Sequence, residues 1–175
     1  MSSRMIEVVA YQDEWINRFG QEKILLESIL TQYNVVAIHH IGSTSVKGLC
    51  AKPIIDILIE VKSLEILDSE SHLMESLKYE VKGEFGISDR RYFQRGCNGI
   101  QRSHQVHAFL VGSPEVKRHI AFRDYLIAFP KIAADYGALK TEGAAICAND
   151  INLYCNHKDR FIKKHEAKAL RWKFP

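Results

Sequence analysis

The stretch Val35-Val36-Ala37-Ile38-His39-His40-Ile41-Gly42-Ser43-Thr44-Ser45, followed by Pro53-Ile54-Ile55-Asp56-Ile57-Leu58-Ile59-Glu60-Val61, decides how this chain is read. Val35 to Ile41 is rich in β-branched residues, which suit a pleated, half-buried surface, so a strand is expected there. Gly42 ends it. Ser43 to Leu49 then reads as a turn or one short helical turn. Proline is tolerated at the first residue of a strand, so Pro53 opens a second one over Ile54 to Val61. Side chains alternate along a strand. Asp56, Leu58 and Glu60 therefore share one face, and Ile55, Ile57 and Ile59 take the other.

Outward from this pair, Tyr11 to Leu30 reads as a helix, because Trp15, Phe19, Ile24, Leu25, Ile29 and Leu30 recur at near-helical spacing. Leu64 to Leu77 reads as another, with Ser63 as its cap. Tyr79 to Lys82, Arg90 to Arg95 and His104 to Val111 are expected strands. Gly96-Cys97-Asn98-Gly99 looks like a hairpin turn between the last two. Pro114 suits the first turn of a helix running to about Phe129. Further helices are expected from Lys131 to about Ala148 and from about Lys158 to Trp172. The expected fold is α+β (α/β-type): a mixed sheet of four or five strands covered by helices, with a helical C-terminal part. With no repeat or linker in sight, residues 1–175 are expected to form one domain.

Composition sets the outer bounds. The 175 residues are 46% hydrophobic and 26% charged, enough to build a proper core. The formal charge of +3 comes from 24 basic and 21 acidic residues that are interspersed, which fits a small anionic ligand and makes nucleic acid an unlikely partner. Cys50, Cys97, Cys147 and Cys155 form no CxxC pair, so neither a zinc ribbon nor a disulfide framework is expected. Met1 to Ala10 carries charges and no long apolar run, and no stretch approaches the roughly 20 apolar residues of a membrane span. A cytoplasmic protein is the expectation.

The chemistry concentrates between Gly42 and Glu60. Glycine lets backbone approach a ligand closely. Ser43, Thr44 and Ser45 offer hydroxyls and N–H groups suited to phosphate. An ordinary strand-to-helix turn would look the same. Asp56 opposes the propensity of its apolar strand, and a buried carboxylate needs a partner or a metal. It is either paired with Lys52 or an arginine, or it is a Mg²⁺ ligand or general base. A strand, a Gly-Ser turn and an Asp-bearing strand together resemble the nucleotidyltransferase superfamily. There, Gly-Ser holds nucleotide phosphates and two carboxylates one residue apart hold metal. The second carboxylate would fall on Leu58, which cannot ligate. Glu60 lies roughly 6–7 Å further along the strand.

Read whole, His40-Ile41-Gly42-Ser43-Thr44-Ser45-Val46, Gly48-Leu49 and Ala51-Lys52-Pro53-Ile54-Ile55-Asp56-Ile57 resemble the signature of the GrpB family. Tyr11, Trp15 and Phe19 agree, as do Gly86-Ile87 with Arg90-Arg91-Tyr92-Phe93, His104 with His107, Gly112-Ser113, and Phe122-Arg123-Asp124-Tyr125-Leu126. The resemblance implies a nucleotidyltransferase-like fold and little settled biochemistry. Some members are fused to dephospho-coenzyme A kinase. Lys47 stands where the family usually has Pro, and Gln105 where a second His often follows the first.

Several side chains complete the expected site. His107 could share a face with Asp56 and form a mixed metal site, with Glu60 as a further candidate ligand; Mg²⁺ or Mn²⁺ is the expected ion, and an Asp/His pair suits Mn²⁺, Fe or Zn²⁺ better than Mg²⁺. His104 would fall on the opposite face. Arginine's fixed fork suits phosphate, which makes Arg91 a candidate. In the catalytic reading Gly42 and Ser43 cradle phosphate oxygens, Asp56 is the metal ligand or base, and Lys52 and Arg91 neutralise developing charge. In the rival reading the chain binds a nucleotide or phosphometabolite, conceivably coenzyme A-related, without catalysis. Lys158, Arg160, Lys163, Lys164 and Lys168 read as a solvated helix face that could also widen a phosphate-attracting field.

Overall fold

The structure, a computed structural model, describes residues 6–96 and 102–175. The first helix, α1 (Glu14–Ile29), turns Trp15 and Leu26 inward. Strand β1 (Val35–Ile41) follows, then a single 3₁₀ turn (Ser43–Ser45) and β2 (Ile55–Val61). Two short helices come next, α2 (Leu64–Ser69) and α3 (Ser71–Ser76). Strands β3 (Glu80–Val81), β4 (Arg91–Arg95) and β5 (His104–Leu110) complete the sheet. Helices α4 (Pro114–Ala128), α5 (Pro130–Ile146) and α6 (Ile151–Lys173) close the chain.

The five strands form one mixed sheet in the order β1-β2-β5-β4-β3. Only β2 and β5 run parallel; the other neighbours are antiparallel. One face carries Ile55, Ile57 and Ile59, which pack with Trp15, Leu26, Leu67, Phe93 and Val106 in the main core. The other carries Ile41, Leu58 and Phe109, which meet Val116 of α4. A third cluster joins Val46 and Leu49 after the 3₁₀ turn to Leu126, Ala133 and Tyr136 of the helical layer. β2 lies inside the sheet, and its Ile face and its Leu58 face each bury against a helix.

Two helix boundaries depart from expectation. The helix expected over 64–77 is interrupted at Glu70, whose backbone leaves helical geometry at φ −95° and ψ 4°. Its buried carboxylate accepts from the Thr31 N–H at 3.1 Å, so a contact to the end of α1 replaces one helical turn. Helix α6 begins at Ile151 and not near Lys158, because the Asp150 side chain accepts from the N–H groups of Asn152 and Leu153. Ser63 caps α2 as expected, and Ser113 caps α4. The hairpin turn expected at 96–99 falls largely on residues 97–99, outside the described residues.

Candidate functional site: a lysine-lined pocket above Asp56

Gly42 has φ +70° and ψ −173°, a backbone state open essentially to glycine alone. This brings its Cα against Asp56 of β2, and a Cβ built there would lie 2.7 Å from Asp56 Oδ2. Ile41 and Asp56 are register partners across β1 and β2, which sets the approach. The hydroxyls of the turn serve different ends. Thr44 is buried, with Oγ1 2.9 Å from His40 Nε2, and the His40 ring stacks on Phe19 at 4.7 Å. The Ser45 hydroxyl donates to the Gly42 carbonyl. The N–H groups of Ser45 and Val46 bond within the turn. Ser43 lies against the Tyr136 hydroxyl of α5, a phenol that burial holds well above its ordinary range.

Ser43, Thr44, Lys52 and Asp56 open together onto a pocket of about 180 Å³. Its remaining wall was not anticipated. Lys140 of α5 and Tyr154 and Lys158 of α6 line it, with Gln105 of β5. Lys52 and Lys158 both lean on the Tyr154 ring, 5.0 and 4.6 Å from its centroid. Lys140 is 2% exposed and donates to the Cys50 carbonyl. Burial pulls all three ammonium groups below the ordinary lysine range, Lys140 to about 7. Among the described residues no ion pair joins any of them to a carboxylate, and Asp56 is the one acidic side chain lining the pocket. Gln105 sits beside Asp56 in register, and the amide orientation that satisfies both ends donates to Asp56 Oδ1 at 3.0 Å and accepts from Arg102 at 2.9 Å.

The other expected members scatter. His107 faces Asp56 diagonally across β2 and β5, with Nε2 3.7 Å from Oδ1; its ring packs on Tyr92 and His119. Glu60 is four residues from Asp56, roughly 13 Å along the strand. There it meets His39 Nε2 at 2.7 Å, away from the pocket. Arg91 pairs across to Ala108, well up β5 from Gln105, and forks onto both oxygens of Asp68 at 2.6 and 2.9 Å. The structure therefore does not bring Arg91 to the phosphate turn, because Asp68 of α2 takes its guanidinium. His104 lies on the opposite face, in a network with Arg95 and Glu22.

The residues present do not fit a divalent metal. Leu58, where a second carboxylate would stand, is 0% exposed between Ile41, Phe109 and Val116. A charge there would cost several kcal/mol in desolvation. Among the described residues no group of three His, Cys, Asp or Glu side chains could hold a metal ion.

The GrpB protein family profile matches residues 5–168. The chain belongs to the GrpB family. It is 45% identical to UPF0157 protein YqkA of Bacillus subtilis (strain 168) over 170 residues, covering 97% of this chain and 49% of that protein. The chain thus spans about half the length of that relative. It is 35% identical to Glutamate-rich protein GrpB of Alkalihalophilus pseudofirmus, covering 89% of this chain and 90% of that one. The crystal structure of conserved protein GrpB from Enterococcus faecalis has the same fold, with a TM-score of 0.91, 42% identity and coverage of 97% of this chain and 100% of that one. No helix among the described residues is long and apolar enough to cross a membrane.

Proposed function

We propose that this GrpB-family chain binds the phosphate group of a nucleotide or other phosphorylated small molecule in the pocket above Asp56. One observation carries the reading. Lys52, Lys140 and Lys158 come from three separate segments and converge on one small pocket whose lining holds a single carboxylate. Half-buried ammonium groups with no anionic partner are costly, and a phosphate supplies the missing charge and acceptors. The Ser43 hydroxyl adds a neutral donor on the same side.

Thermal shift and calorimetric titration with nucleoside triphosphates, diphosphates and pyrophosphate test this reading. Saturable binding of a phosphate compound by the native chain, weakened by Lys158→Ala, supports it. No binding of any of them overturns it.

A catalytic reading rests on a different observation. Asp56 is close to His107 and lines the pocket beside Lys52, which supports reading its carboxylate as a general base. In that reading Asp56 accepts a proton from an acceptor hydroxyl, and Lys52 neutralises charge on the leaving phosphate. Pyrophosphate release from a nucleoside triphosphate, abolished by Asp56→Asn, is its signature. Binding without turnover leaves the chain a phosphate-ligand binder.

A further inference from the structure

We propose that the pocket takes its phosphate ligand as the free anion, with Lys52, Lys140 and Lys158 supplying the positive charge that a divalent metal would otherwise bring. This rests on the phosphate-binding reading and names the form in which the ligand is recognised.

Counting the lining charges gives three ammonium groups against one carboxylate, a surplus of two positive charges when all three lysines are protonated. Magnesium asks for near-octahedral oxygen coordination and sheds its waters reluctantly. Asp56 can offer it one carboxylate. Leu58 offers nothing, and Glu60 is held by His39 and by the Gly112 N–H. A cation brought to Asp56 would also sit among three like charges. A magnesium-complexed diphosphate is the weaker ligand for the same reason: the ion has already neutralised the oxygens that the lysines would meet, and its own charge faces theirs.

The geometry has a further sign of design for an anion. Lys52 and Lys158 flank the Tyr154 ring, so their positions are fixed by an aromatic body and not by a counter-charge. Lys140 is fixed by a backbone carbonyl. Among the described residues no ion pair ties any of the three to a carboxylate, Asp56 included, which leaves ammonium protons for an incoming ligand. The depressed range of Lys140 adds a coupling, since an anion that enters draws a proton onto that amine.

The test uses pyrophosphate as the probe and the full chain as the protein. Its affinity is measured by titration calorimetry in EDTA and in excess magnesium chloride at one ionic strength. Pyrophosphate is expected to bind in EDTA and to bind roughly tenfold less tightly with magnesium. Lys158→Met, checked for its fold by circular dichroism, is expected to lose most of the EDTA affinity, while Lys62→Met keeps it. Binding that appears only with magnesium, or that is equal or tighter with it, overturns this inference and leaves the phosphate reading standing. Binding in neither condition overturns both. An unchanged affinity in folded Lys158→Met assigns the anion to another place and overturns the inference as well.

Discussion

The Cα of Gly42 lies directly against the carboxylate of Asp56, with no room for a methyl group between them. The turn and the acidic strand are thus one object. Gly42→Ala meets two separate obstacles, a left-handed φ and a contact of 2.7 Å with Oδ2. Each costs on the order of 1–3 kcal/mol. The expected result in urea unfolding is a loss of that size, together with weaker pyrophosphate binding. A double-mutant cycle with Asp56→Ala separates the two terms. The clash component disappears and the backbone component stays. Full additivity of the two substitutions would show that the contact does not matter.

Lys140 sets a pH dependence with a definite sign. Burial lowers its folded value from 10.5 to about 7, so between these limits the unfolded chain holds the extra proton. Stability from this group therefore rises with pH from about 7 to about 10.5 and is flat below about 7, where both states hold the proton. Lys140→Met is expected to flatten the rise seen in urea midpoints on the alkaline side of neutrality. An unchanged slope would place the titration elsewhere.

Acid acts through buried histidines. Burial holds His40 at about 4 and His104 at about 3, against 6.5 for the free side chain. His119 is also pushed well down by burial and by Arg118. The unfolded chain binds these protons first, so the stability they contribute is complete above about 6.5 and falls as pH drops toward about 4. His104→Gln is expected to shallow that fall in urea midpoints measured across the same window. A variant that tracks the native curve would contradict the assignment.

Arg91 supplies the contrast. Its fork is satisfied by Asp68, whose side chain is half exposed, and exposed pairs contribute about 0–1 kcal/mol. Arg91→Ala is expected to leave pyrophosphate affinity within about twofold, a free-energy change under about 0.5 kcal/mol. A larger loss would return Arg91 to the site.

Much of the fold was legible because its signals are local. β1 ends at Ile41 as read, where Gly42 reverses the chain, and β2 starts one residue after the residue expected. The division of Ile55 to Val61 into two faces needs only the alternation of a strand, though Leu58 is buried on the second face as fully as the Ile residues are on the first. Helix α6 was read too short, since Asp150 caps it far ahead of its basic stretch. That error hid the site's second wall. In sequence Lys158 looks like Lys163 or Lys164. Only the packing of α6 on α4 and α5 turns Lys158 inward and leaves Lys163 in solvent, paired with Asp159. Lys140 lies on the buried stripe of α5 with Ala133, Tyr136, Gly137 and Gly143, so helical spacing carried the signal and its charge masked it. The fork of Arg91, expected at phosphate, is taken in the structure by Asp68, which reaches it from α2 and lies far from it in sequence.

Asp56 belongs to the sheet, Lys52 to the connection before it, Lys140 to α5 and Lys158 to α6. The pocket is therefore a seam between layers, with one carboxylate on the sheet side and two ammonium groups on the helix side. An anion seated there acts as a keystone. On the proposed phosphate reading, a ligand held there would bridge the sheet and the two C-terminal helices, and binding the folded chain alone would stabilise it in proportion to ligand concentration.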